Sequence, residues 1–218
     1  MARERNIYLV VNHRLFRPLL GSRFGALAVH WVFQGLLYMD RTERWFKLGI
    51  DVVLTLIISV PLALLTPVPL VASVAIAFPL AHTMNWIFNG HIYVVLKHFG
   101  KVEHSELEWE TYINGLSERA ARQTSVHWMA AFGSLARGEF SPTSDLDVRI
   151  IRKQGLPNGV RACWFAMLER SRAFFSHYPL DIYVLDTGRP LAKLLLDEQP
   201  VTLYDATAGP SRWPHGEK

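Results

Sequence analysis

Phe132-Gly133-Ser134-Leu135-Ala136-Arg137-Gly138-Glu139, followed by Ser144-Asp145-Leu146-Asp147-Val148-Arg149-Ile150-Ile151, is the stretch from which the rest of the chain can be read. Ahead of it, Val126 to Phe132 is a short apolar run with β-branched and aromatic residues that stops at Gly133-Ser134, the pattern of a buried strand entering a tight turn. Glycine at 133 lets the backbone approach a ligand closely, and Ser134 with the amides after it can face phosphate oxygens, as amides do at helix N-termini. Ten residues separate Ser134 from Asp145. Asp145 and Asp147 stand at i and i+2, so on a strand both carboxylates project to one side. Adjacent like charges are costly without a cation, and hard oxygen ligands favour Mg2+ or Mn2+.

A third acid is available downstream. Leu180-Asp181-Ile182-Tyr183-Val184-Leu185-Asp186 reads as another strand, opened by Asp181. Asp186, at i+5, points the other way in a regular strand and lies past its end, which suits a turn or cap residue. Taken singly these pieces are weak: a lone Asp-x-Asp is usually a solvated strand end, and a lone Gly-Ser is a turn. Their joint order carries the information.

That order, Gly-Ser, ten residues, Asp-x-Asp, with Ala136-Arg137-Gly138 inside the gap, resembles the minimal nucleotidyltransferase domain of the DNA polymerase beta-like superfamily. The resemblance covers roughly Ser105 to Asp205, about half of the chain. It implies an α+β fold, a mixed β-sheet with flanking helices, in which Val201-Thr202-Leu203-Tyr204-Asp205 is the terminal strand. It also implies that Gly133 and Ser134 bind a triphosphate, that Arg137 and Gly138 shape the loop or face phosphate, and that Asp145, Asp147 and Asp181 are the catalytic carboxylates and metal ligands. The implied cofactor is Mg2+ or Mn2+, and the implied substrate is a nucleoside triphosphate, ATP foremost. Such sites hold two ions about 3.5–4 Å apart that clamp the attacking and leaving oxygens.

The second signal concerns solvent. From Leu48 to Leu96 the only formally charged side chain is Asp51. Thr66-Pro67-Val68-Pro69 divides the stretch into Phe46 to Leu65 and Leu70 to Phe88, each near the ~20 residues needed to cross a bilayer. Proline resists helix continuation at the divide, so a two-helix transmembrane hairpin is expected. Pro61 and Pro79 kink such helices without excluding a crossing. A buried pair of core helices gives the same periodicity. Against that, the remaining chain is too small and polar to cover the hairpin and also build a sheet. Trp45, Phe46, Trp86, Phe88 and Tyr93 form an aromatic belt at one face. Arg3, Arg5, Arg14, Arg17, Arg23, Arg41, Arg44, Lys47, Lys97 and Lys101 put both ends in the cytoplasm.

The expected organisation is a basic interfacial segment over 1–45, the hairpin over 46–88, a juxtamembrane connection over 89–104, the nucleotidyltransferase domain over 105–208 and a flexible tail over 209–218. Within 1–45, Phe24 to Met39 is apolar yet short for a crossing, so it is either re-entrant or interfacial. The helix between the catalytic strands runs from Asn158 to His177, with Trp164, Phe165, Leu168 and Phe174 on its buried side. The net charge of +4 concentrates beside the hairpin, which favours anionic lipid over nucleic acid as partner. A single cysteine, Cys163, excludes an intrachain disulfide framework and fits a reducing compartment. His91, His98 and His104 have no metal-ligand spacing. Together these readings describe a multi-pass protein of the cytoplasmic membrane that transfers a nucleoside monophosphate to a protein or glycolipid acceptor hydroxyl. The alternative is a catalytically weak, membrane-tethered nucleotide-binding or antitoxin-like partner-binding module.

Overall fold

A computed structural model describes residues 23–90, 92, 102–188 and 199–213. The expected segment before Arg23, most of the 89–104 connection and residues 214–218 lie outside them.

The hydrophobic alternation of the C-terminal half builds a five-stranded mixed sheet: β1 (Val126–Phe132), β2 (Leu146–Arg152), β3 (Leu180–Leu185), β4 (Val201–Asp205) and β5 (Gly209–Pro210), in the order β3-β2-β1-β4-β5. β2 and β3 are parallel, and the other pairs are antiparallel. Side chains alternate across a strand, so Leu146, Val148, Ile150, Leu180, Ile182 and Val184 enter the main core. Two helices complete that core: α4 (Glu106–Ala121) through Trp109, Ile113 and Leu116, and α5 (Leu156–Ser176) through Ala162, Phe165 and Ala166. α4 starts at a capping box in which Glu108 Oε2 accepts from the Ser105 amide at 2.7 Å and Ser105 Oγ accepts from the Glu108 amide at 3.3 Å. The other sheet face carries Trp128, Ala130, Phe132, Ile151 and Leu185 in a smaller cluster, and it is the face left for Asp147 and Asp181. The fold is thus the α+β class expected.

Upstream, α2 (Arg41–Leu65) and α3 (Leu70–Asn89) turn at Thr66–Pro69, where the sequence placed the divide, and both are long and apolar enough to cross a membrane. Neither Pro61 nor Pro79 interrupts its helix. The distribution of polarity is inverted relative to a core helix pair. Every fourth residue of α2 from Glu43 through Lys47, Asp51 and Thr55 to Ser59 is buried, and facing it α3 buries Ser73, Ala77, Ala81, His82, Asn85 and Asn89. Small residues allow close approach, and polar ones bond across the seam: Asn85 Nδ2 donates to Asp51 Oδ1 at 2.9 Å, and His82 Nδ1 meets Asp51 Oδ2 at 2.9 Å. The outer surface is apolar, with Leu64, Leu65 and Val71 all about four-fifths exposed. The eleven-residue α1 (Arg23–Phe33) braces α3, Trp31 Nε1 donating to Thr83 Oγ1 at 3.1 Å and Trp86 Nε1 donating to His30 Nδ1 at 2.8 Å. At about 16 Å long it is too short to cross a bilayer.

α2 begins at Arg41, five residues before the expected start at Phe46, because its first turns dock on the sheet. β3 is an edge strand, and its outer backbone groups are closed by side chains. Arg170 of α5 donates to the Ile182 carbonyl, Glu43 accepts from the Val184 amide at 2.8 Å, and Asp40 accepts from the Asp186 amide at 2.9 Å. Arg170 and Glu43 also pair with each other, and Arg170 Nη1 donates to Asn89 Oδ1 at 2.8 Å. Lys47, counted from sequence among the basic residues that flank the hairpin on its cytoplasmic side, is buried and donates to the Asn89 carbonyl.

Two further expectations are corrected. Trp164 and Leu168 are exposed, because α5 turns its small residues Ala162, Ala166 and Ala173 to the core and so approaches the sheet closely. The chain from Gly209 is not loose through Trp213: Gly209–Pro210 pairs with β4, the Ser211 amide donates to the Leu203 carbonyl at 2.8 Å, and Trp213 exchanges hydrogen bonds with Asn114. Replacing Arg170 with Met strands the Glu43 carboxylate in the interior and is expected to cost about 3–5 kcal/mol. The double replacement Glu43→Leu with Arg170→Met recovers part of that loss. Unfolding midpoints in detergent, followed by tryptophan fluorescence, measure both, and an Arg170→Met chain as stable as the parent contradicts the assignment.

Candidate active site

The antiparallel register of β1 and β2 sets Phe132 beside Asp147, and the parallel register of β2 and β3 sets Asp147 beside Asp181. The turn after Phe132 is thereby delivered to the same spot. Gly133 has φ +68°, a region open to glycine at little cost, and a Cβ built there would lie 2.4 Å from Asp147 Oδ2. The absent side chain is what lets carboxylate and turn share this space. From Gly133 to Glu139 the chain folds tightly, the Arg137 amide donating to the Gly133 carbonyl at 3.1 Å and the Glu139 amide to the Ser134 carbonyl at 2.9 Å. Ser134 Oγ is buried with no hydrogen-bond partner among the described residues, an unmet polar atom in the turn that meets Asp147, and one that suits a ligand oxygen. Gly138, at φ +70°, closes the turn, and the Arg137 side chain reaches Glu139 Oε2 at 2.9 Å on the surface.

Asp147 and Asp181 thus meet on the sheet face opposite α4 and α5, while Asp145 sits just before β2 and adds its charge nearby. Burial, and next the charge of Asp181, push the Asp147 carboxyl far above the usual carboxylate range, to about 8; Arg149 works against the rise. Arg149 was not singled out by sequence reasoning, although it shares the i, i+2 parity of Asp145 and Asp147 and so the same face. Its guanidinium donates to the Asp181 carbonyl at 3.0 Å, approaches Asp181 Oδ2 at 3.5 Å and lies 4.8 Å from the centre of the Tyr183 ring. Burial opposes the charge on Arg149, but the carboxylates of Asp181 and Asp147 outweigh it and hold the guanidinium protonated. Asp186 stands past the strand end, away from this group, accepting from Arg152 Nε at 2.8 Å and the Thr42 amide at 3.2 Å.

Among the described residues, no group of three His, Cys, Asp or Glu side chains is arranged to hold a metal ion as it stands. Of the expected triad, Asp147 and Asp181 are paired by register, and Asp145 is the neighbour at the loop. The donor chemistry fits a hard divalent cation: the set is all oxygen, and the raised Asp147 carboxyl is what a cation would relieve.

Residues 113–178 match the family model described as a nucleotidyltransferase domain. That stretch is similar to a nucleotidyltransferase domain, in keeping with the minimal, DNA polymerase beta-like form. The match includes the Gly133-Ser134 turn, Asp145 and Asp147 and stops short of Asp181, which enters by strand register alone. No curated protein and no solved structure matches the chain.

Two measurements check this geometry. Gly133→Ala forces a Cβ into the Asp147 carboxylate at positive φ, with an expected cost of about 1–3 kcal/mol, read as a lowered unfolding midpoint. The second concerns pH. Because the folded state raises the Asp147 pKa, between the ordinary carboxylate range and about 8 the native chain keeps a proton that the unfolded chain has lost. Stability in chelator therefore falls as pH rises across that window. Asp147→Asn flattens the fall, and so does added Mg2+ or Mn2+. Midpoints that do not decline between about pH 5 and about pH 8 would show that Asp147 is not held protonated.

Proposed function

We propose that the protein is a membrane-anchored nucleotidyltransferase that moves a nucleoside monophosphate from a triphosphate to an acceptor hydroxyl and releases pyrophosphate. The observation that carries the reading is the side-by-side placement of Asp147 and Asp181 next to the Gly133-Ser134 turn. In this reading Gly133 admits the polyphosphate to the backbone, and the Ser134 hydroxyl donates to a phosphate oxygen. Arg137 and Gly138 keep the turn in shape. Asp145, Asp147 and Asp181 would hold Mg2+ or Mn2+, which when bound neutralises the triphosphate and lowers the pKa of the acceptor hydroxyl. Asp181 takes the proton from that hydroxyl as its oxygen attacks the α-phosphorus. The bond from the α-phosphorus to the bridging oxygen breaks, and pyrophosphate carries the electron pair away. Arg149 fixes the orientation of Asp181.

Membrane anchoring is supported by the inverted hairpin, apolar outside and polar along its seam. The basic residues flanking it favour a cytoplasmic site, where nucleoside triphosphate is available. A second reading, a tethered nucleotide-binding or partner-binding module with little turnover, draws on Arg149, which already pairs with Asp181 as a built-in cation would.

The purified full-length chain in detergent or vesicles, given α-labelled triphosphates with Mg2+ or Mn2+, separates the two. Catalysis predicts label transfer or pyrophosphate release, reduced by about 100-fold or more in Asp147→Asn with the fold retained. Triphosphate binding without either product supports the module. No binding and no product overturns both.

A further inference from the structure

We propose that α5, the helix linking the two catalytic strands, lies in the headgroup region of the bilayer and presses its outer face into the lipid. The inference rests on the reading that the hairpin spans a membrane. Leu156, Val160, Trp164, Leu168 and Phe175 on α5 are all exposed, from 38% to 77%. At 3.6 residues per turn they fall within an arc of about 120°, a stripe as wide as the buried face of an ordinary amphipathic helix, yet here turned outward. The opposite face of α5 is already in the core, so the helix is apolar on two sides for two different neighbours.

Its placement says which neighbour covers the outer one. α5 crosses the base of the hairpin. A Cβ built on Gly159, near its N-terminus, would lie 2.7 Å from the Thr42 methyl, Trp164 meets Phe46 edge to face with ring centres 6.4 Å apart, and Phe175 stacks on Phe88 at 6.0 Å. Ser171 Oγ donates to the Phe88 carbonyl at 2.7 Å. The exposed stripe is therefore continuous with the apolar exterior of α2 and α3 at the level of the residues expected to form the aromatic belt. Arg161 is exposed, and Arg172 is half-exposed while pairing with Glu169, so basic groups border the stripe as on helices that rest on anionic lipid. A bilayer surface fits such a stripe. The transferase domain would then be held at one height and attitude against the membrane by α5, while the hairpin supplies the attachment.

Nitroxide labels at Val160→Cys and Leu168→Cys, in the full-length chain in vesicles of phosphatidylcholine and phosphatidylglycerol, test this. Ile57→Cys on the hairpin and Glu118→Cys on α4 serve as controls. The native Cys163 is buried, and burial pushes its thiol up to about 12, so it stays unlabelled. The expected result is an oxygen-to-nickel-chelate collision ratio at positions 160 and 168 several-fold above that at 118 and below that at 57. A lipid signal at 57 with water-like values at 160 and 168 overturns the inference and leaves the hairpin reading standing. Water-like values at 57 as well overturn both. Labels at 160 and 168 shielded from both colliders, with or without dipolar coupling to a second copy, mean that protein covers the stripe, which also overturns it.

Discussion

Arg170 and Glu43, both almost wholly withdrawn from water, form the ion pair on which the joining of the two halves depends. A buried pair of this kind adds little net stability, since desolvation consumes most of the attraction, but neither partner can be left alone. What the pair secures is position. Arg170 comes from α5, the helix between β2 and β3, and Glu43 from the first hairpin helix, and both also bond the outer backbone of β3. That strand begins with Leu180 and Asp181, so the same contacts that hold the hairpin to the domain hold one of the two central carboxylates in place.

The hairpin obeys the same logic with opposite polarity. In water, an apolar exterior around a seam of Asp51, His82, Asn85, Thr55 and Ser59 would be upside down. In hydrocarbon, burial of apolar surface contributes nothing between helices, and hydrogen bonding with close contact of small residues takes over. The seam runs without a break from Ser59 through Asp51 and Lys47 to Glu43, so the polar interior of the hairpin passes directly into the ion pair beneath it.

Much of this was legible before any coordinates. The Gly-Ser turn, the two carboxylates at i and i+2, the Pro-Val-Pro divide and the terminal strand are local patterns, and local patterns survive in a sequence. Strand alternation also contained the position of Arg149, although its role needs a partner strand to be seen. The edge-closing residues were not legible: Arg170 meets Asn89 and Glu43 across 81 and 127 positions of chain, Asp40 meets Asp186 across 146, and nothing near any of them announces the others. α5 misled for another reason. Large apolar side chains suggested its inner face, whereas close packing against the sheet selected alanines. The two-residue β5 carries no periodicity at all, and its order comes from β4 and from Asn114.

The closed edge of β3 also bears on how the chain can be divided. A fragment cut after the hairpin would retain every residue of the sheet, but the Val184 and Asp186 amides would lose Glu43 and Asp40. A strand margin stripped in this way recruits whatever strand it next encounters, often from a sibling molecule. The sheet-bearing half is therefore an incomplete unit by itself, and the segment that resembles a mere tether acts as the last element of its tertiary structure.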